Sequence, residues 1–280
     1  MINSAAIRNL FAAPFLIWAV LFIFCPVVAI AWYGLTDAHG AFTLANISLI
    51  AHWEYLKALE LSIVLALIST VICLVVAYPL CLILTEKKRG KGSLLFLLFV
   101  LPMWMNSLLT TMAWQTILEK NGILNQFLRL LSLPDVSLIN TPAAIVIGMI
   151  YNFLPYMILP LYVALSKING NVIAAARDLG ANSWQTFTKV ILPSITPALL
   201  TGFAMAFARA VGEYGSVIFI AGNMPMVSEI TPLIIIGKLE QYDYAGATAV
   251  AVVMLVISFI LLLIINALQA WQRRHAGAPA

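Results

Sequence analysis

The 280 residues are 63% hydrophobic and only 9% charged, with a mean hydropathy of +1.02 and a formal net charge of +4. A soluble domain carries about 25% charged residues, so this chain has too few to cover a surface in water. Soluble enzymes and disordered chains are therefore excluded. The apolar residues run continuously and do not alternate, which favours membrane helices over a β-barrel.

Six segments are long and apolar enough to cross a bilayer as helices, which takes about 20 residues each. In chain order they are Phe11–Tyr33, Leu61–Leu84, Ser93–Leu118, Thr141–Leu165, Ile191–Ala221 and Tyr244–Trp271. The first is too long for the core of a signal peptide and is interpreted as a membrane anchor. The pattern predicts an all-α polytopic membrane protein with six transmembrane helices, as a single domain over residues 1–280.

The lysine and arginine residues of the loops predict the orientation of these helices. One set of loops and chain ends holds ten of them and the opposite set holds four, while Arg209 lies inside a span. This bias predicts that both termini and the loop at residues 167–193 are cytoplasmic. An even number of spans also requires both termini on one side. Prolines inside the spans predict either ordinary kinks or helices broken around a pathway.

The predicted cytoplasmic loop at residues 167–193 differs in composition from the spans. One helical face is formed by apolar residues three and four positions apart, namely Val172, Ala176 and Leu179. Gly180 is placed to end this helix, and Asn182 with Gln185 forms a capping pair for a second helix through Val190. The pattern predicts two short helices at the membrane surface, either an interfacial loop or an element that docks in the groove of a partner.

The same loop resembles the signature loop of the permeases of binding-protein-dependent ABC importers. In that family it reads Glu-Ala-Ala, three residues, Gly, nine residues, Ile-x-Leu-Pro, and the spacing here agrees throughout. The likeness is carried by Ala174, Ala175, Ala176, Arg177, Asp178, Leu179, Gly180, Leu192 and Pro193. Ala174 stands where the family usually has Glu, and Val190 stands where it has Ile.

This resemblance implies a type I ABC importer permease in a bacterial-type inner membrane. Such a permease pairs with a second permease subunit, two ATPase subunits and an external solute-binding protein, and its loop transmits closure of the ATPase. The chain has no Gly-x-x-x-x-Gly-Lys-Ser/Thr phosphate loop, so it is expected not to be an enzyme itself. ATP and Mg²⁺ are expected on the partner ATPase, and no cofactor, metal or nucleic acid is expected on this chain.

Two parts of the chain resemble permeases for different solutes. Residues 10–200 resemble the spermidine/putrescine permease subunit, for example at residues 101–108, although Thr110 stands where Arg is expected. Residues 192–275 resemble the sulfate/thiosulfate permease subunit, for example at residues 209–223. Polyamine uptake by alternating access is the leading hypothesis because it covers more of the chain. Sulfate/thiosulfate uptake is the alternative, and a mosaic of the two stays open.

Polar and aromatic residues inside the spans are candidates for the solute pathway or its gate. They are Trp104, Asn106, Trp114, Tyr151, Asn152, Arg209 and Glu213. Arg209 and Glu213 are four positions apart, so they are expected to share a helix face and to be able to pair, either as a structural ion pair or as part of the gate. The aromatic rings either attract alkylammonium groups or mark the bilayer interface.

Two other classes of protein compete with this interpretation. An intramembrane enzyme is disfavoured because the three histidines lie outside the spans. A secondary transporter or channel would need inverted repeats or more charges inside the membrane than Arg209 and Glu213 provide.

Overall fold

The computed structural model describes residues 13–37, 40–86, 91–220 and 230–276. Within these ranges the secondary structure is helical, apart from one isolated bridge between Thr36 and Phe42. The long apolar helices are Ala13–Leu35 (α1), Trp53–Glu86 (α3), Pro142–Ser166 (α7), Ser183–Val211 (α9) and Tyr244–Ala276 (α12). The shorter helices are Ala45–Ser48 (α2), Lys91–Val100 (α4), Ser107–Leu118 (α5), Ile123–Leu130 (α6), Gly170–Asp178 (α8), Gly215–Ile220 (α10) and Thr231–Glu240 (α11).

The structure confirms the all-helical membrane class. In the described residues five helices are long and apolar enough to cross a membrane, and the number is six if the bent pair formed by Leu94–Trp104 and Ser107–Leu130 is counted as one broken span. The first, second, fourth and sixth predicted spans coincide with α1, α3, α7 and α12. Phe11, at the start of the first predicted span, lies outside the described residues.

The third predicted span is wrong as a continuous helix. After α4 the chain forms a short 3-10 helix at Leu101–Trp104 and then turns by 102° into the next helix. Pro102 lies within this 3-10 helix, and because proline has no N–H it cannot extend a regular hydrogen-bond ladder. Pro79 and Pro155, in contrast, lie inside continuous helices.

The fifth predicted span is also displaced. It begins at Ser183, well before the predicted start at Ile191, and ends at Val211. The chain then turns at residues 212–214 and resumes as α10. Ala221, the predicted end, lies outside the described residues.

Residue contacts divide the chain into two compact units, and α3 and α12 contribute to both. Unit 1 comprises residues 1–57 and 231–257, and unit 2 comprises residues 58–230 and 258–280. In unit 1, Ile50 is buried with Ala249 and Val250. Gly34 lies so close to the backbone of Thr248 that a β-carbon would be 3.1 Å from it.

Helix α7 runs through the packed interior of unit 2. It lies parallel to α3, since the thiols of Cys73 and Cys81 contact the backbone oxygens of Ile150 and Ile158, each at 3.7 Å. It lies antiparallel to α9, where a β-carbon on Gly202 would be 2.9 Å from the sulfur of Met157. Small residues permit such close approach of membrane helices.

Candidate functional site

Two breaks in the helices of unit 2 meet at one cleft of about 270 Å³. One break is at residues 105–106, between α4 and α5, and the other is at residues 212–214, between α9 and α10. Phe153 lines the cleft half-way along α7, so the cleft is at the middle of a membrane span. The residues that line it are Ser107, Leu108, Thr111, Phe153, Arg209, Gly212, Glu213, Tyr214, Gly215 and Phe219. Membrane transporters bind polar solutes at broken helices of this kind.

At the first break, Asn106 fixes the start of α5. Its side-chain oxygen accepts hydrogen bonds from the backbone N–H groups of Leu108 at 2.9 Å and Leu109 at 3.4 Å. This N-cap satisfies amide groups that would otherwise be unpaired inside the membrane. Asn106, a predicted pathway residue, therefore has a structural role next to Ser107 of the cleft.

At the second break, Glu213 fixes the start of α10. Its Oε1 accepts a hydrogen bond from the backbone N–H of Ser216 at 2.8 Å. Asn152 of α7 donates to the hydroxyl of the same serine at 3.1 Å. Ser216 itself is fully buried, whereas Glu213 and Asn152 are half-buried. Two predicted pathway residues, Asn152 and Glu213, are thus connected through Ser216.

The prediction that Arg209 and Glu213 share a helix face is wrong. Helix α9 ends at Val211, so the two residues do not share a continuous helix. The guanidinium of Arg209 lies instead over the ring of Tyr156, with its Cζ 4.3 Å from the ring centre. In the part of the chain that the structure describes, no ion pair joins Arg209 to an acidic side chain. Both residues line the cleft as separate charges.

Of the predicted pathway residues only Arg209 and Glu213 line this cleft, and the three aromatic residues lie outside it. Trp114 and Tyr151 pack edge to face, with ring centres 5.4 Å apart, and Trp114 also contacts the apolar cluster at the start of α7. Trp104 is 86% exposed. A pathway role for these three aromatic residues stays a prediction.

Several lining residues were not identified from the sequence. Ser107 and Thr111 lie in an apolar run, where a hydroxyl usually bonds to its own helix, and Thr111 does donate to the backbone oxygen of Ser107 at 2.8 Å. Two glycines, Gly212 and Gly215, flank Glu213. These glycines indicate a helix break near Glu213, because glycine weakens a helix interior.

The loop at residues 167–193 carries the exposed helix α8. Asn169 caps its start by accepting from the N–H of Asn171 at 3.0 Å. Gly180 ends it with φ +84°, a left-handed conformation that residues with a β-carbon adopt at a cost. No residue of α8 is buried, and Leu179 after it is 89% exposed. The predicted end of this helix at Gly180 is confirmed.

The start of α9 contains the predicted capping pair. The side chain of Asn182 accepts from the N–H of Gln185 at 2.8 Å, and Gln185 accepts from the N–H of Asn182 at 3.0 Å. The predicted end of this helix at Val190 is wrong. A π-helical turn at Phe187–Ile191 accommodates Pro193 and carries the helix on into the span, giving one helix of 29 residues.

Comparison with known proteins gives the family. The family of the binding-protein-dependent transport system inner membrane component matches residues 77–274. The chain belongs to this family. It is therefore a multi-pass inner-membrane permease component, as the loop motif indicated.

Curated relatives support both solute classes. The spermidine/putrescine permease PotB of Salmonella typhimurium (strain SL1344) is 33% identical over 222 residues, which cover 76% of this chain and 77% of PotB. A probable sulfate permease, cysT of Nephroselmis olivacea, is 32% identical over 262 residues, covering 94% and 90% of the two chains. Similarity to the sulfate permeases is therefore not confined to the C-terminal third.

A solved structure confirms the fold. A chain of a bacterial alginate ABC transporter, crystallised with an alginate-pentasaccharide-bound periplasmic protein, matches with a TM-score of 0.79 at 18% identity. The match covers 98% of this chain and 96% of the other.

Proposed function

We propose that this protein is the permease subunit of a type I ABC importer that moves a small charged solute by alternating access. Its partners would be a second permease subunit, two ATPase subunits and an external binding protein, with ATP hydrolysis on the ATPase. Family membership supports the importer class, and the related alginate transporter was crystallised with a periplasmic protein. Both termini and α8 would face the cytoplasm, in agreement with the charge bias.

The proposed coupling of ATP hydrolysis to transport rests on the course of α9. Helix α9 joins the loop at residues 167–193 to the cleft, since it begins beside α8 at Ser183 and ends at Val211, two residues after Arg209. A helix of 29 residues is about 43 Å long. A displacement of the loop by the ATPase would therefore reach the cleft through one continuous helix. Arg209 and Glu213 would be moved relative to α5 and α7, which form the opposite wall.

The charges of the cleft favour an oxyanion as the solute. Arg209 is exposed and has no acidic partner in the described residues, whereas one oxygen of Glu213 is bound to the N–H of Ser216. The N-terminus of α5 also faces the cleft through Ser107, and helix N-termini favour anions. A polyamine, which carries several positive charges, would be repelled by Arg209. We therefore place a sulfate-like solute first.

Polyamine uptake is the second candidate. It is favoured by the PotB relatives and by the aromatic pair of Trp114 and Tyr151, since aromatic faces attract alkylammonium groups by about 0.5–2 kcal/mol each. Uptake of radiolabelled sulfate and of spermidine by the transporter, reconstituted with each candidate binding protein, separates the two. ATP-dependent uptake of spermidine alone would reject the oxyanion assignment.

The coupling role of the loop is tested at Gly180. Gly180→Val places a branched residue at φ +84°, which costs roughly 1–2 kcal/mol and distorts the end of α8. We expect ATP-driven uptake to fall at least about tenfold while the protein still inserts. Gly170→Ala is the matched control, because a β-carbon there meets nothing within 4 Å and the backbone is unstrained. Normal uptake by Gly180→Val would reject the coupling role.

A further inference from the structure

Helix α6 has an apolar side that no described residue covers. Ile123, Phe127 and Leu130 are spaced four and three positions apart, so they form one stripe, and they are 63%, 57% and 80% exposed. Leu131 and Leu133 extend this stripe beyond the end of the helix and are also about half exposed. A stripe of this kind normally packs against protein or lies in lipid.

The other two sides of α6 are already occupied. Leu124 contacts the apolar cluster of Leu118, Ala144 and Ile220. Gln126 and Arg129 are exposed on the polar side, where Arg129 pairs with Asp135 at 2.6 Å. The helix therefore has one side against the protein, one polar side, and the apolar stripe as a separate third side.

A buried asparagine fixes the rotation of α6. The side-chain amide of Asn125 is fully buried and donates to the backbone oxygens of Glu119, Lys120 and Val136 at 3.0–3.3 Å. Its oxygen accepts from the N–H of Val136 at 2.8 Å. These bonds hold the helix to the chain on both sides of it, so the exposed stripe cannot turn inward without breaking them.

The position of α6 along the membrane spans identifies what the stripe meets. The cluster that Leu124 contacts includes Ala144, in the first turn of α7, whereas α8 follows the last turn of the same helix. Helix α7 has 25 residues and is about 37 Å long, which exceeds the hydrocarbon thickness of roughly 30 Å. Helix α6 is therefore at the membrane boundary on the side opposite α8.

We propose that α6 lies in the membrane interface, with the stripe of Ile123, Phe127 and Leu130 inserted among the lipid chains of the leaflet opposite the loop at residues 167–193. A short helix with an apolar stripe and a polar side that carries a basic residue is the pattern of interfacial helices. The helix follows the broken span, α4 and α5, along the chain after only four residues. In this position α6 anchors the outer end of α5, whose other end lines the cleft.

Site-directed spin labelling of the complete transporter in liposomes tests this placement. A nitroxide is attached at Phe127→Cys and, as a matched control on the polar side, at Gln126→Cys, both with Cys25→Ser because Cys25 is exposed. We expect the ratio of collision rates with oxygen and with a water-soluble nickel chelate to be several-fold higher at position 127 than at position 126. Leu130→Cys gives a second site if Phe127→Cys does not insert.

Two outcomes would overturn the proposal. Equal and high accessibility to the nickel chelate at both positions would mean that the stripe faces water. Low accessibility to both reagents with an immobilised nitroxide would mean that a protein partner covers it, the second permease subunit or the binding protein.

Discussion

The turns before α10 and α12 are each capped by a carboxylate that accepts from the backbone N–H three residues later. They differ in whether a cation neutralises that carboxylate. Before α10, Glu213 accepts from the N–H of Ser216, and before α12, Asp243 accepts from the N–H of Gly246 at 2.9 Å. The second oxygen of Asp243 is bound by Lys238 at 2.6 Å. In the described residues Glu213 has no such cation, and it lines the cleft.

A carboxylate that is needed only as a helix cap can be neutralised by a cation in the same turn. Lys238 comes from the helix immediately before the turn, α11, so the ion pair closes the turn on itself. At the α9–α10 turn the corresponding cation, Arg209, lies over Tyr156. The charges of Arg209 and Glu213 are therefore available to a solute, whereas those of Lys238 and Asp243 neutralise each other.

The largest effect is expected at Arg209. Arg209→Gln removes the unpaired cation of the cleft, and sulfate uptake should fall at least about tenfold, which corresponds to about 1.4 kcal/mol. Arg209→Lys should retain part of the activity, because it keeps the charge but not the planar stacking on Tyr156. Initial uptake rates at several solute concentrations measure both variants. An increase of spermidine uptake in Arg209→Gln would favour the polyamine assignment instead.

A smaller, few-fold effect is expected at Glu213. Glu213→Gln keeps an oxygen that can accept from the N–H of Ser216, so the melting temperature should change little. The variant removes one negative charge from the cleft, and sulfate uptake should be retained or rise. Glu213→Ala is the contrasting variant, since it also removes the cap and should cost about 1 kcal/mol of stability. Loss of sulfate uptake in Glu213→Ala alone would mean that the carboxylate acts only through the cap. Equal loss in both variants would mean that the negative charge itself is needed, which would contradict the oxyanion assignment.

The smallest effect is expected at Asp243. The hydrogen bond from Lys238 lowers the pKa of the Asp243 carboxyl, so the ion pair stabilises the fold above the ordinary pKa of aspartate, near 4. Its contribution should be lost as the pH falls through the lowered value. Because Asp243 is partly exposed, Asp243→Asn should cost only about 0.2–1 kcal/mol at pH 7.

The stability that the Lys238–Asp243 ion pair contributes is measured by thermal unfolding of the purified protein and of Asp243→Asn, at pH 7 and at successively lower pH. The difference between them should be constant near neutral pH and shrink below about pH 4. Transport should be unchanged by this variant. Loss of uptake in a stable Asp243→Asn protein would show that this turn, too, takes part in the transport cycle.

The positions of four spans, the end of α8 and the start of α9 could be predicted because they depend on local signals. Continuous apolar runs mark membrane helices. Gly180 suits a positive φ because it has no β-carbon, and Asn182 and Gln185 have side chains that can cap a helix start. The breaks at residues 105–106 and 212–214 could not be predicted in the same way. Both lie inside apolar runs, and their stability depends on distant partners such as Asn152, which bonds to Ser216 sixty-four residues away.

The prediction that Arg209 and Glu213 share a helix face was wrong for the same reason. Spacing of four places Arg209 and Glu213 on one face only if the helix is continuous. The end of α9 at Val211 separates them, and Tyr156 on another helix takes up the guanidinium. Sequence spacing therefore identified residues of the cleft but not their bonding.

The π turn at Phe187–Ile191 has a consequence for the register of α9. A π turn holds one residue more than an α turn, so its conversion to an α-helix would rotate everything beyond it by about 100° and shift it by about 1.5 Å along the axis. Deleting Thr188 would impose that change permanently. Arg209 would then be carried away from the ring of Tyr156, with no alteration of any residue in the cleft.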